Sequence, residues 1–139
     1  MNDSDTIFDK ILRKEVSADI VYEDEHTLAF LDIHPNHPGH TLVIPKEFSK
    51  NILDISEESL AHLMVTVQKV AIALMKAVQA EGINIIMNNE PAAEQIVFRT
   101  HVHVIPRYKN DGFTLFPQTQ EYAPGESEEV AQKVRDNLT

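Results

Sequence analysis

The sequence predicts an α+β fold: a five-stranded antiparallel sheet with one long helix laid on it and shorter helices at its flanks. Three observations carry the prediction. Short β-branched runs come in clusters and do not alternate strictly with helices, an order that suits an antiparallel sheet better than a doubly wound one. One stretch, from about Ser56 to Ala80, repeats apolar residues at helical spacing. The chain has 139 residues, 42% hydrophobic and 24% charged, enough for one domain over 1–139 and too few for two ordinary ones.

The elements follow in order. "SDTIFDKILRKE" places Ile7, Phe8, Ile11 and Leu12 on one helical face, with Ser4 or Asp5 available as the cap. "ADIVYEDEHTLAFLDI" reads as two short strands around the acidic turn Glu23-Asp24-Glu25. "HPNHPG" is punctuated by proline and glycine and forms a loop. "HTLVIPK" is a third strand that Pro45 ends.

In the long helix Ser56 is the cap, Glu57 and Glu58 favour the positive end, and Gly82 suits the exit. Leu60, Leu63, Met64, Val67, Val70, Ala71, Leu74 and Val78 form a stripe that must lie on a sheet. "INIIMNN" and "THVHVIPR" complete the five strands. "SEEVAQKVRDNL" reads as a short helix over about 127–138, with Val130, Val134 and Leu138 on one face.

The formal charge is −10, from 12 basic and 22 acidic residues. So acidic a chain has no footprint for duplex nucleic acid. A small anion is still admissible, because a few placed amides and cations hold a phosphate locally. No apolar run approaches the length of a membrane span. The start "MNDSDTIFDK" lacks a signal-peptide pattern, and there is no cysteine for a disulfide or thiolate metal site. A soluble cytoplasmic protein that binds neither membrane nor nucleic acid is the expectation.

The chemistry concentrates in "VFRTHVHVIPRY". Alternation along a strand points Arg99, His101 and His103 one way and Val102, Val104 and Phe98 the other. Three readings of the histidine pair compete. It is a wet sheet face carrying two imidazoles by chance. It is half of a metal site, which needs a third ligand and tolerates Arg99 poorly. Or it is a catalytic pair, in which one neutral imidazole attacks phosphorus and the other donates to phosphate or leaving group. The strand alone does not choose among them. His34, His37 and His40 sit in or beside a Pro/Gly loop, so periodicity gives them no common face.

The surroundings do carry a resemblance. "TIFDKILRKE", "DIVYEDEHTLAFLDI", "PGHTLVIPK" and "MNNEPAAEQIVFRTHVHVIPRY", in that order over about residues 5–112, resemble the histidine-triad (HIT) nucleotide-binding family. The resemblance implies a nucleotide hydrolase or nucleotidyl transferase. Such an enzyme cleaves a nucleoside monophosphate, AMP foremost, from an amine or other leaving group through a covalent nucleotidyl-histidine, with no cofactor and no obligatory metal. It implies His101 as the nucleophile and His103 as the contact to the transferred phosphate. His40, Asn88, Gln95 and Arg99 fall in the substrate site, Asp32 on the ribose hydroxyls, and Phe30 and Ile33 near the base. The implied partners are a purine nucleotide or nucleoside phosphoramidate and a second copy of the chain, two sheets joining into ten strands. Two alternatives stay open: a nucleotide-binding protein with reduced or lost catalysis, and a dinucleoside polyphosphate hydrolase.

Two departures bear on function. Arg99 stands at the first histidine of the signature, and Glu94 stands where the family usually has a glycine that gives phosphate an unhindered amide. Some bacterial members hold structural zinc at four positions that here are Thr6, Asp9, Phe48 and Arg99, so the resemblance carries no zinc site over.

Overall fold

A computed structural model describes residues 5–115 and 118–139. Its elements are α1 (Ile7–Leu12), β1 (Ile20–Glu23), β2 (Thr27–Leu31), β3 (Thr41–Pro45), α2 (Glu57–Ala77), β4 (Gly82–Ile86), a 3₁₀ turn at Pro91–Ala93, β5 (Val102–Arg107) and α3 (Glu126–Asp136). The strands form one sheet in the order β1-β2-β3-β5-β4, and every neighbouring pair is antiparallel. This is the α+β arrangement the clustered strands predict.

Alternation along the central strands sorts the core onto two faces. Ala29, Val43, Val102 and Val104 meet Leu63, Val67, Val70 and Leu74 of α2. On the other face, Leu28, Phe30, Leu42 and Ile44 meet Phe8 and Ile11 of α1. Leu63 has no exposed surface, and burying such a side chain contributes about 2 kcal/mol. The two central valines of β5 thus anchor the strand under α2, which turns His103 toward α1. His103 pairs in register with Leu42 on one side and Ile86 on the other.

Several details differ from the sequence reading. Ser4 lies outside the described residues, and Thr6 is the cap of α1: its hydroxyl accepts from the Asp9 amide while Asp9 accepts from the Thr6 amide. Asp5 instead pairs with Arg13 at 2.7 Å. Ser56 does cap α2, accepting from the Ser59 amide. The helix ends at Ala77, and Gln79, at φ 52°, makes the left-handed exit; Gly82 is already the first residue of β4. Met64 is 41% exposed and leaves the buried stripe.

The strand β5 begins only at Val102, so Arg99, Thr100 and His101 lie ahead of its paired ladder. Phe98 is exposed under the Lys50 ammonium and is no part of the core. Val130 and Val134 of α3, and Leu138 beyond its end at Asp136, are exposed in this chain. By length and composition α2 is long and apolar enough to cross a membrane. One side of it lies on the sheet, and Met64, Val65, Ile72 and Met75 on the other are exposed.

Candidate active site

On the α1 face of the sheet lies a cavity of about 460 Å³, within the range of small-ligand sites. Ile7, Phe8 and Ile11 of α1 form one wall; Phe30 comes from β2, and Asp32 and Ile33 follow its end; Asn88, Glu94 and Ile96 come from the loop after β4; His101 and His103 also line it.

His101 is 7% exposed, and its Nδ1 lies 2.7 Å from the carbonyl oxygen of Arg99. A carbonyl only accepts, so Nδ1 carries the proton and Nε2 keeps a free lone pair. The Phe8 ring stands edge-on to the imidazole, 4.9 Å between centroids, and limits its tilt. Burial lowers the pKa of His101, and the Arg99 cation adds slightly in the same direction; the bond to the Arg99 carbonyl and the charge of Asp32 oppose without winning. At neutral pH the ring is therefore an uncharged base.

A second chain of bonds fixes His103. The Asn36 amide donates to His40 Nδ1 at 3.1 Å, so the proton of His40 sits on Nε2. His40 Nε2 lies 2.9 Å from His103 Nδ1 and donates to it. His103 must then hold its own proton on Nε2, the nitrogen left for a ligand. Burial, then the neighbouring His101 and His40, push the pKa of His103 down to about 4. His40, buried, is lowered by desolvation against the pull of Asp32. His101 and His103 thus differ chemically toward the cavity: a bare nitrogen on His101 and an N–H on His103.

Asp32 accepts from the His34 amide through Oδ1, while Oδ2 lies 3.6 Å from His40 Nε2. Asp32, His40 and His103 offer ligand atoms within 4.8 Å of one another. Metal binding there conflicts with the Asn36 amide, which leaves His40 protonated on the nitrogen that would have to ligate. Asn36, His40 and His103 instead form a directed chain of hydrogen bonds.

Phe30 is buried and packs edge-on to Phe8 at 5.6 Å, presenting an apolar surface, while Ile33 is 80% exposed at the mouth. Asn88 lines the cavity. Gln95 and Arg99 do not. The Gln95 amide is committed to Asn51, the Glu90 amide and the carbonyls of Lys50 and Val97, and it shapes the loop that carries Asn88, Glu94 and Ile96. The guanidinium of Arg99 is directed to Asp9 and the carbonyls of Pro45 and Lys46. Arg99 lies ahead of β5 and its side chain reaches α1, the side that His103 also faces, but the guanidinium is spent on these partners and only the carbonyl serves the site. Glu94 lines the cavity and takes a left-handed conformation, φ 66° and ψ 27°, as the family's glycine would do without strain.

The sequence reading missed the wall from α1. Ile7, Phe8 and Ile11 signal a buried helix face, and nothing in the pattern separates packing on a core from packing on a ligand. Asn36, which sets the tautomers through its backbone, leaves no trace in residue type.

Comparison with known proteins bears on this geometry. The HIT domain matches residues 13–110. The chain belongs to the HIT family. Protein hit of Bacillus subtilis strain 168 is 38% identical over 135 residues, covering 95% of this chain and 93% of that protein. The adenosine 5'-monophosphoramidase hnt1 of Schizosaccharomyces pombe is 34% identical over 134 residues, covering 93% of this chain and 98% of that protein. Among solved structures, SMU.412c from Streptococcus mutans UA159 superposes with a TM-score of 0.92 at 41% identity, covering 100% of this chain and 87% of that one. Thr6, Asp9, Phe48 and Arg99 also converge. Arg99 bonds Asp9 at 2.7 Å, Asp9 bonds Thr6, and the guanidinium lies 5.9 Å from the Phe48 ring centroid. These groups satisfy one another as an ion pair and offer no set of free ligand atoms.

Proposed function

We propose that this HIT protein hydrolyses nucleoside phosphoramidates, AMP joined to an amine foremost, with His101 as nucleophile. The observation that carries the reading is the pair of tautomers, a bare Nε2 on His101 beside an N–H on His103, in a nucleotide-sized cavity. In the first step His101 Nε2 attacks phosphorus, the P–N bond breaks, and the departing amine takes the proton of His103 Nε2. In the second, water attacks phosphorus, its proton goes to the vacated His103 nitrogen, and the P–N bond to His101 breaks to release AMP. Each step is a displacement helped mainly by positioning.

Asp32 is suited to accept from the two ribose hydroxyls, and Phe30 and Ile33 offer the base only apolar contact. Asn88 and His40 complete the polar side, His40 by keeping the His103 proton directed at the leaving group. The name of the fission yeast relative, an adenosine 5'-monophosphoramidase, agrees with this substrate class. We also infer a homodimer in which the outer face of α2, with Met64, Val65, Ile72 and Met75, and the edge strand β4, with exposed Ile85, meet a second copy.

Glu94 favours a second reading, nucleotide binding with reduced turnover, because it brings a carboxylate to the rim of a cavity meant for an anion. Metal-free incubation with an adenosine phosphoramidate and with a dinucleoside polyphosphate decides. AMP released from the first supports the proposal, and release from the second alone makes the protein a polyphosphate hydrolase. Nucleotide binding without release from either supports the second reading.

A further inference from the structure

The ion pair of Arg99 and Asp9 links two parts of the site that the sequence keeps 90 residues apart. Arg99 is 1% exposed, with Nε donating to Asp9 Oδ1 at 2.7 Å, Nη1 to the Pro45 carbonyl at 2.6 Å and Nη2 to the Lys46 carbonyl at 3.2 Å. A guanidinium so desolvated and so directed has little freedom, since any shift leaves buried donors or charge unmatched. The carbonyl of this same residue receives the His101 Nδ1 proton. Asp9 lies in the first turn of α1, one residue from Phe8, whose ring borders the His101 imidazole.

The contacts close a loop. The end of β3 holds Arg99, Arg99 holds Asp9, Asp9 holds α1, and α1 sets Phe8 against the ring that the Arg99 carbonyl orients. We propose that Asp9, acting through Arg99, is a positioning residue that keeps His101 in its single Nδ1–H tautomer with Nε2 facing the cavity. The proposal rests on the reading of His101 as nucleophile and adds a residue outside the signature to that function.

Asp9→Asn tests it, since asparagine keeps the size and can still accept from the Thr6 amide while losing the charge opposite Arg99. The readouts are the ring-nitrogen NMR shifts of His101 at neutral pH and kcat and KM for an adenosine phosphoramidate. The expected result is a mixture of tautomers and a kcat lower by about ten-fold, with KM changed less than about two-fold. Thr6→Ala is the control for helix stability alone: it removes the capping hydroxyl, leaves Asp9 Oδ1 on Arg99, and should lower Tm without changing tautomer or kcat. An Asp9→Asn protein with the wild-type tautomer and kcat overturns the proposal, as does an equal loss of kcat in Thr6→Ala. If Asp9→Asn does not fold, Arg99→Lys, which keeps the charge and loses the fork, is read by the same two outcomes. A wild-type protein without turnover defeats the proposed reaction, whereas the NMR readout still decides the positioning.

Discussion

Replacing His103 by asparagine should make the protein's stability less sensitive to acid. An unfolded histidine takes a proton near pH 6.5, but the folded His103 does so only at about pH 4, chiefly because burial disfavours its charged form. Between those values the unfolded chain binds a proton that the folded chain refuses, so stability falls as pH falls, beginning near pH 6.5 and levelling off near pH 4. For a fully buried ring the interval is worth ~3 kcal/mol; His103 is only part-buried, and solvent screening reduces this to about 1–2 kcal/mol. The assay is urea unfolding of wild type and His103→Asn from neutral pH down to about pH 4. The difference between them should be flat above neutrality and shift by that amount in favour of the variant below pH 6.5. His40 and His101, also lowered, add to the acid sensitivity of both proteins. A difference that stays constant with pH, or shifts against the variant, refutes the neutral, desolvated His103 on which the proton-donor role depends.

Three further perturbations probe other parts of the site and its setting. His40→Leu removes the donor that fixes the His103 tautomer, and steady-state kinetics should show kcat down roughly 10–100-fold with little change in KM; a kcat within about two-fold of wild type contradicts that role for His40. Glu94→Gly relieves the left-handed strain at φ 66° and, after the larger unfolded-state entropy of glycine, should gain roughly 0.5 kcal/mol in urea melts, with tighter AMP binding by calorimetry. Ile72→Glu puts a charge on the exposed apolar side of α2 and should convert a dimer into a monomer by light scattering, while an unchanged mass removes that face from the interface.

Much of the fold is written locally. The strands β2 and β3 are short apolar runs buried on both faces, and Leu63, Val67, Val70 and Leu74 keep their spacing onto the sheet. Met64 escapes the stripe because the sheet covers a narrower arc than the apolar residues occupy. The start of β5 is misread from pattern alone because Arg99 and Thr100 are drawn out of the strand by remote groups: the Pro45 carbonyl for Arg99, and the carbonyl and hydroxyl of Ser49 for Thr100. The site divides the same way. His101, His103, His40, Asp32 and Asn88 stand in recognisable motifs and meet around one cavity. Gln95 and Arg99 stand in the same motifs and serve the scaffold, because their partners, Asn51 and Asp9, come from distant segments. Spacing reports which side chains share an element, and it carries no information on which buried partner claims a polar head.

A covalent bond between phosphorus and His101 is the central expectation, and rapid quenching of the protein during turnover of an adenosine phosphoramidate tests it. Peptide mass analysis should find the AMP group on the His101 ring in wild type, and neither adduct nor AMP release in His101→Ala, which should still bind AMP. Adduct on another residue, or near-native turnover by His101→Ala, contradicts the assignment.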